Sequence, residues 1–384
     1  MLSNRSETLP RGGSMSAVRV GDVERAVARR FPLERAEDWD RCGLLAGDPD
    51  ALVTGVVLAL DPTMAAIEQA VAHGANVLVT HHPAFLKAPQ WLTPGRGSAG
   101  VVFSALSQGV ALINAHTNLD RDSEAQRLLP DLLGLTPLKP LERSTMAMSL
   151  VTVFTPLVAA EKIVDAMSGA GAGRVGDYDH CSYAGSGTGR YIPGPKSDPW
   201  SGTSGIAAEA SEVRVEMVAP RSRVRGVIAA AVAAHPYEEP LVTASDVVIS
   251  RNSARLGMVC STANPTTLEA LVKHAATVFG VTPRVWGDRN TPVSRVATGT
   301  GSAGSLIGDA LSAGVQALVA GEVRYHDALD AAAAGLAVIE LGHDVTEWPL
   351  VDLLEAAVRT VAELDPKDVH VLPATAGWWT PEMK

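Results

Sequence analysis

Cysteine is scarce. The 384 residues hold three, Cys42, Cys181 and Cys260. They are far apart, odd in number and in no Cys-x-x-Cys pattern, which excludes a zinc ribbon and a disulfide scaffold. Long apolar runs are lacking too. Stretches such as Val227 to Ala234 fall well short of the ~20 residues that cross a bilayer, so no membrane partner is expected. Segment 1–17 has arginines but no apolar core, unlike a secretory signal. It reads as a polar tail, and the expected location is cytoplasmic. Basic charge is also short: Lys and Arg number 32 against 42 Asp and Glu, a formal net charge of −10. Sequence-independent binding to nucleic acid or anionic lipid needs a basic footprint that this composition does not offer. What is present is globular material. Hydrophobic residues make up 46% and charged residues 19%, which excludes a disordered chain. At ~100–200 residues per domain, two or three domains are expected.

Three blocks emerge along the chain. In the first, 18–144, the apolar stretches Val53 to Leu60, Ala75 to Thr80 and Val110 to Asn114 read as buried strands. Between the first two, Thr63 to His73 reads as a helix with Met64, Ile67 and Val71 on its apolar face. Strands separated by helices suggest βαβ units and a largely parallel sheet. The second block, 145–252, has another texture. Met148 to Thr155, Val213 to Val218 and Val242 to Ile249 read as strands. Ala159 to Met167 and Val224 to Ala234 read as helices. Gly185 to Gly205 reads as a loop rich in Gly, Ser and Pro. One more strand within Ser182 to Tyr191 would complete βαββαβ, the ferredoxin-like order, and the block is expected to be an inserted domain. The third block, 253–384, returns to the first style. Val296 to Thr298, Ala317 to Ala320 and Leu336 to Leu341 read as strands, and Leu306 to Ala313 and Trp348 to Val361 as helices.

Blocks one and three read as copies of one another. The stretch from His73 to His81 lies over Ala313 to Gly321, and Val110 to His116 over Leu336 to His343 with one residue's adjustment. In both copies the histidine is followed four residues later by a carboxylate, Asp120 or Glu347. The expected fold is therefore an internally duplicated α/β core carrying the ferredoxin-like insert. Duplication would bring equivalent strand ends together at the carboxyl edge, where open α/β sheets carry their sites.

There are ten histidines. Four of them, His81, His82, His116 and His343, follow expected strands, accompanied by Asp120 and Glu347. A lone histidine at a strand end is more often a hydrogen-bonded rim residue than a ligand. Three such clusters at equivalent points of two half-domains favour a metal instead. Imidazole and carboxylate donors suit Zn²⁺, Fe²⁺ or Mn²⁺. His-x3-Glu on a helical turn puts both side chains on one face. Adjacent histidines would oppose each other along a strand, but at a turn before Pro83 each can face a different metal.

Other features are less specific. Gly299-Thr-Gly301-Ser-Ala-Gly304 fits GxGxxG, with Glu322 at the distance of a ribose-binding acid. It is better read as a helix N-terminus approaching an anionic group of substrate, such as a phosphate, and Glu322 as part of a rim with Tyr325 and His326. Trp39 reads as a buried anchor of its loop. His235-Pro-Tyr-Glu-Glu239 reads as a helix terminator with solvated acids.

Together these residues resemble the dinuclear-metal toroid family labelled GTP cyclohydrolase 1 type 2 homologue. The matching signatures are Trp39-Asp40 with Gly43-Leu44, His81-His82-Pro83, His116-Thr-Asn-Leu-Asp120, Gly321-Glu322 with Tyr325-His326, and Gly342-His343 with Glu347. The insert, with Gly185-Ser-Gly187-Thr-Gly189 and His235-Pro-Tyr-Glu-Glu239, is similar to the PII- and CutA-like domain of longer members. The resemblance implies two divalent ions per subunit (Zn, Fe or Mn) on the inner surface of a homohexameric ring. It implies that His82 and Asp120 hold one metal, that His81 and His343 hold the other, that Glu347 bridges them, and that His116 is a close neighbour. Arg41 departs from the family, where many members carry a small polar residue. The implied activity is hydrolytic opening of a guanine imidazole ring, with GTP as the candidate nucleotide-like substrate and formate leaving. Two metals suit such a reaction, because one can acidify a water while the other stabilises developing negative charge. Glu322, Tyr325 and His326 are the expected proton carriers. The competing expectation is a non-catalytic metal-binding ring whose insert senses an effector.

Overall fold

The computed structural model describes residues 18–379, apart from 38, 96, 144, 177, 251, 252 and 376. The expected polar tail, 1–17, lies outside them. The fold is mixed α/β, and the chain divides into two compact units: 1–142 with 256–384, and 143–255.

The first unit opens with α1 (Val20–Arg30), β1 (Gly43–Ala46), β2 (Val56–Ala59), α2 (Met64–Ala72), β3 (Val77–Thr80), α3 (Gly97–Ser107) and β4 (Ala111–Asn114). Two short helices, α4 (Thr117–Asp120) and α5 (Ala125–Leu132), lead to β5 (Thr136–Pro140). Strands β2, β3 and β4 run parallel and β1 pairs antiparallel with β4. Every residue of β2, β3 and β4 is buried, as expected of parallel strands covered on both faces. Val57 and Leu78 meet α2 and α3 on one face, while Val56, Leu58 and Val79 meet α1 on the other.

Helix α2 corrects one expectation. Only Ile67 of the three residues expected to be apolar contacts is buried, together with Ala66 and Ala70. Met64 and Val71 are 40% and 44% exposed. The small alanines let the helix sit close to the sheet, and that contact outweighs the larger apolar side chains.

The second unit contains β6 (Thr145–Thr155), α6 (Ala160–Gly169), β7 (Tyr183–Tyr191), β8 (Ala208–Ala219), α7 (Val224–Ala234) and β9 (Val242–Ser250). They form one antiparallel sheet in the order β7-β8-β6-β9. The loop expected from Gly185 is therefore strand as far as Tyr191. Glycine lowers strand propensity, but continuous pairing with β8 overrides it here. Val151, Val153, Val215 and Met217 pack under α6 and α7, which puts both of this unit's helices on one face of the sheet.

The first unit resumes with β10 (Met258–Thr267), α8 (Leu268–Phe279), β11 (Arg284–Trp286), β12 (Pro292–Ser302), α9 (Ile307–Ala313), β13 (Ala317–Glu322), α10 (Tyr325–Ala333) and β14 (Ala337–Glu340). It ends with α11 (His343–Glu347), α12 (Leu350–Val358) and β15 (Val369–Val371). Its sheets are ordered β1-β4-β3-β2-β15 and β11-β14-β13-β12-β10-β5. In the second, β12, β13 and β14 are parallel and β11 is antiparallel to β14, the same arrangement as in the first. The last strands change places: β5 joins the second sheet and β15 the first. The helices before them follow, since Leu353 and Leu354 of α12 pack in the first core and Leu129 of α5 in the second.

Candidate metal centre

The centre forms where β3, β4 and β14 end. The ladder between β2 and β3 continues past β3, with the His82 N–H donating to the Leu60 carbonyl at 2.9 Å. The chain then turns, so His81 and His82 do not take opposite faces, and their ring centroids lie 5.0 Å apart. After β4, His116 precedes the single turn of α4, which carries Asp120. After β14, Gly342 adopts φ +117°, a left-handed conformation that favours glycine. It turns the chain into α11, where His343 and Glu347 share a face.

Three groups of side chains can hold a metal, their ligand atoms within 4.8 Å of one another: His81, Asp120 and Glu347; His82, His343 and Glu347; and His81, His82 and His116. His82 Nε2 is 2.9 Å and His343 Nε2 3.0 Å from Glu347 Oε2. His81 Nε2 lies 3.5 Å from Asp120 Oδ1 and 3.7 Å from Glu347 Oε1. The resemblance implied His82 with Asp120 and His81 with His343. Distance groups them the other way, because the His81 ring is anchored so that Nε2 faces Asp120.

Each of the four histidines has an acceptor on Nδ1. His81 bonds the Ala115 carbonyl at 2.9 Å, His82 bonds Asp61 at 2.7 Å and His116 bonds Asp40 at 2.9 Å. His343 Nδ1 sits 3.1 Å from Glu322 Oε1. An acceptor on Nδ1 fixes the proton there and presents Nε2 as a lone pair, which is how metal-binding histidines are oriented. His81 Nε2 and Asp120 Oδ1 are buried and have no hydrogen-bond partner. A bare imidazole lone pair facing carboxylate oxygens is repulsive unless a cation or a proton lies between them. The donor chemistry and these two orphaned atoms thus fit a divalent metal.

Without metal, protons take that place. Burial works against a charged His82, but Asp61 and Glu347 overcome it and raise its pKa to about 10. Hydrogen bonding to Glu347 outweighs burial at His343 and raises it to about 9. Burial opposes charge on His81 too, yet Asp120 and Glu347 hold its pKa above the usual imidazole range. Burial would raise Glu347, but its three histidine partners drive it well below the usual carboxylate range.

The surrounding residues explain the motifs. Asp40 is buried and accepts from His116, from the Thr117 N–H at 3.0 Å and from the Thr117 hydroxyl at 2.5 Å. Asn118 Nδ2 donates to the Phe31 carbonyl at 2.7 Å, and its Oδ1 accepts from the His116 N–H at 2.9 Å. Cys42 donates to Asp40 at 3.3 Å, and burial beside that carboxylate pushes its thiol up to about 12, so it stays protonated. Trp39 is not a buried anchor. It is 55% exposed and meets His116 edge-on, with ring centroids 6.2 Å apart. The loop is fixed by Asp40 instead.

The glycine-rich stretch also has a different role. Gly299 and Gly301 belong to β12, and the helix after it, α9, has only seven residues. A Cβ on Gly301 would lie 1.9 Å from Glu347 Oε1. Its N–H donates to Thr346 Oγ1 at 3.0 Å. Gly301 is therefore needed for Glu347 to reach the centre. Of the expected proton carriers, Glu322 contacts His343. Tyr325 and His326 are exposed at the head of α10, with ring centroids 5.3 Å apart. Asp61 and Thr346 were not singled out from sequence. Asp40 stood there only inside the Trp39-Asp40 signature, and Gly301 only as part of the GxGxxG pattern, with another role.

Fold and site together define an α/β protein of three sheets with clustered histidines and carboxylates able to bind metal. The family model for Duf34/NIF3 (NGG1p interacting factor 3) matches residues 18–374, and the chain belongs to that family. It is 33% identical over 342 residues to a Mycobacterium leprae protein named GTP cyclohydrolase 1 type 2 homolog, covering 87% of this chain and 88% of that one. A Bacillus subtilis protein of the same name is 30% identical over 317 residues, covering 81% and 84%. A Bacillus cereus protein related to NIF3 is similar in structure, with TM-score 0.59 and 29% identity over 92% of this chain and 96% of that one. A Staphylococcus aureus structure shares the fold, with TM-score 0.64 and 22% identity over 96% and 100%. No helix among the described residues is long and apolar enough to cross a membrane.

Proposed function

We propose that this protein is a cytoplasmic hydrolase, dependent on two divalent ions, that acts on a nucleotide-like substrate, with GTP the first candidate. The observation that carries this reading is the pair of buried, partnerless atoms, His81 Nε2 and Asp120 Oδ1, beside a carboxylate that two further imidazoles approach. His81 and Asp120 would hold one ion and His82 and His343 the other, with Glu347 between them. Bound there, such ions lower the pKa of water and stabilise negative charge on the substrate. The chain's own residues set the geometry. Ala115, Asp61, Asp40 and Glu322 orient the four imidazoles. Exposed Trp39 offers a flat face beside His116 on which a nucleobase can stack, with Arg41 next to it. Tyr325 and His326, close in sequence to Glu322, would move protons at the rim. The matching order of strands in the two sheets supports an internal duplication, and β7-β8-β6-β9 supports a ferredoxin-like insert. We take the assembly to be a homohexameric ring.

The test is a turnover screen of metal-loaded protein against nucleotides and phosphoesters, with formate release followed for GTP. Consumption of a nucleotide that stops on chelation is the expected result. No turnover of any of them would sink the enzyme reading and favour a metal-binding ring with an effector-sensing insert. That second reading rests on a cleft of about 910 Å³ within the 143–255 unit.

A further inference from the structure

The cleft belongs to residues remote in sequence from every metal ligand, and its lining says what it would accept. Its floor is the sheet face opposite α6 and α7. Gly185, Gly187 and Gly189 alternate along β7 and so lie on one face, where Gly187 leaves open space and Gly185 and Gly189 let the Tyr183 ring and the Glu212 carboxylate lie close over the strand. Opposite them in β8 lie Arg214, Glu212 and Ala210. The volume, about 910 Å³, is within the range of small-molecule sites.

Charge in the cleft is of one effective sign. The lining holds Asp198, Glu212, Glu238 and Glu239 against Arg190 and Arg214. Both arginines are already engaged by acids outside that lining, Arg190 with Glu209 at 2.7 Å and Arg214 with Glu216 at 3.4 Å. Among the described residues, none of the four acids forms an ion pair with a base. Glu212 is held in place: Tyr237 donates to it at 2.9 Å, and a Cβ on Gly189 would come within 2.3 Å of its Oε2. Aromatic faces complete the lining. Trp200 is 55% and Tyr183 62% exposed.

We propose that this cleft binds a small organic cation, an ammonium or amidinium group carried on an apolar or planar body. Carboxylates without counter-ions attract the charged head. Aromatic faces attract it again through their quadrupoles and cover the apolar body. A polyphosphate would instead bring like charge against like. Its lining includes none of the candidate metal ligands, so its test needs no turnover.

The experiment is calorimetric titration of the full-length protein at neutral pH. The probes are benzyltrimethylammonium, its uncharged carbon isostere neopentylbenzene, and ATP. Saturable binding of the ammonium at one site per chain is expected, weakened by salt, with little binding of the isostere or of ATP. Trp200→Ala should weaken it at least about five-fold, in line with a cation–aromatic contact. Glu212→Gln should do the same, and Glu239→Gln provides a change that leaves the Tyr237 bond intact. Equal binding of the isostere, binding of ATP in place of the ammonium, no binding of any probe, or affinity unchanged in both Trp200→Ala and Glu239→Gln would overturn the proposal.

Discussion

Each imidazole in the centre depends on one acceptor behind it. Glu322 accepts from His343, so Glu322→Gln should cost one metal about 10–100-fold in affinity, readable by competition with a chelator. An unchanged affinity would detach Glu322 from ligand orientation. His326→Ala makes no such contact and should keep both metals while slowing turnover by ~10²–10⁴-fold if it carries protons. Protonation gives a second check. In metal-free protein His82 and His343, with pKa values raised to about 10 and about 9, hold protons at pH 7. Metal must displace them, so uptake at pH 7 should release protons, seen as an enthalpy that changes with the buffer. The sign for stability follows. A raised imidazole pKa stabilises the metal-free fold fully below its unfolded value near ~6.5, and that stability is lost as pH rises through 9 to 10. The melting temperature of metal-free protein should fall over that span, and that of metal-loaded protein should change less. The candidate cluster was legible in the sequence, since His81, His82 and His343 follow strands and Asp120 and Glu347 come four residues after His116 and His343. Asp61 and the Ala115 carbonyl were not, because an acceptor is identified only by where the fold puts it.

At the scale of the element, the centre exists because strands stop together. Buried parallel strands with continuous apolar runs were readable: β2, β3, β4 and β14 lie within the expected stretches, and β13 begins where expected but runs two residues further, to Glu322. Packing distances were not readable. The GxGxxG pattern suggested an anion at a helix start, whereas Gly301 clears the space for Glu347. Gly301→Ala should therefore displace that carboxylate and strain a residue at φ +54°. We expect lost or weakened metal binding and a destabilisation of more than about 1 kcal/mol, measured by metal analysis and denaturant melts. Wild-type metal content in that variant would mean that Glu347 has freedom the structure does not suggest. Helix α2 shows the same limit: periodicity picked Met64 and Val71, but the close fit of Ala66 and Ala70 on the sheet decides which way the helix faces.

At the scale of the molecule, the unit 143–255 leaves and rejoins the first unit at adjacent points. The Leu141 N–H donates to the Gly257 carbonyl and the Glu142 N–H to the Leu256 carbonyl, both at 2.9 Å. Joining 142 to 256 by a short turn closes a small gap at little entropic cost. The shortened protein should fold and keep its metals, whereas an insoluble or metal-free product would make the insert part of the core. The repeated strand order in the two sheets had a trace in sequence, the aligned apolar stretches ending in His-x3-acid. The exchange of β5 and β15 left none, since strand pairing across halves has no local pattern. The whole reading turns on the number of ions that the centre holds. Elemental analysis of full-length wild type beside Glu347→Ala addresses it in one measurement. Two divalent ions per chain, both weakened in the variant, are expected. At most one tightly bound ion in wild type, unchanged in Glu347→Ala, would contradict a shared dinuclear centre.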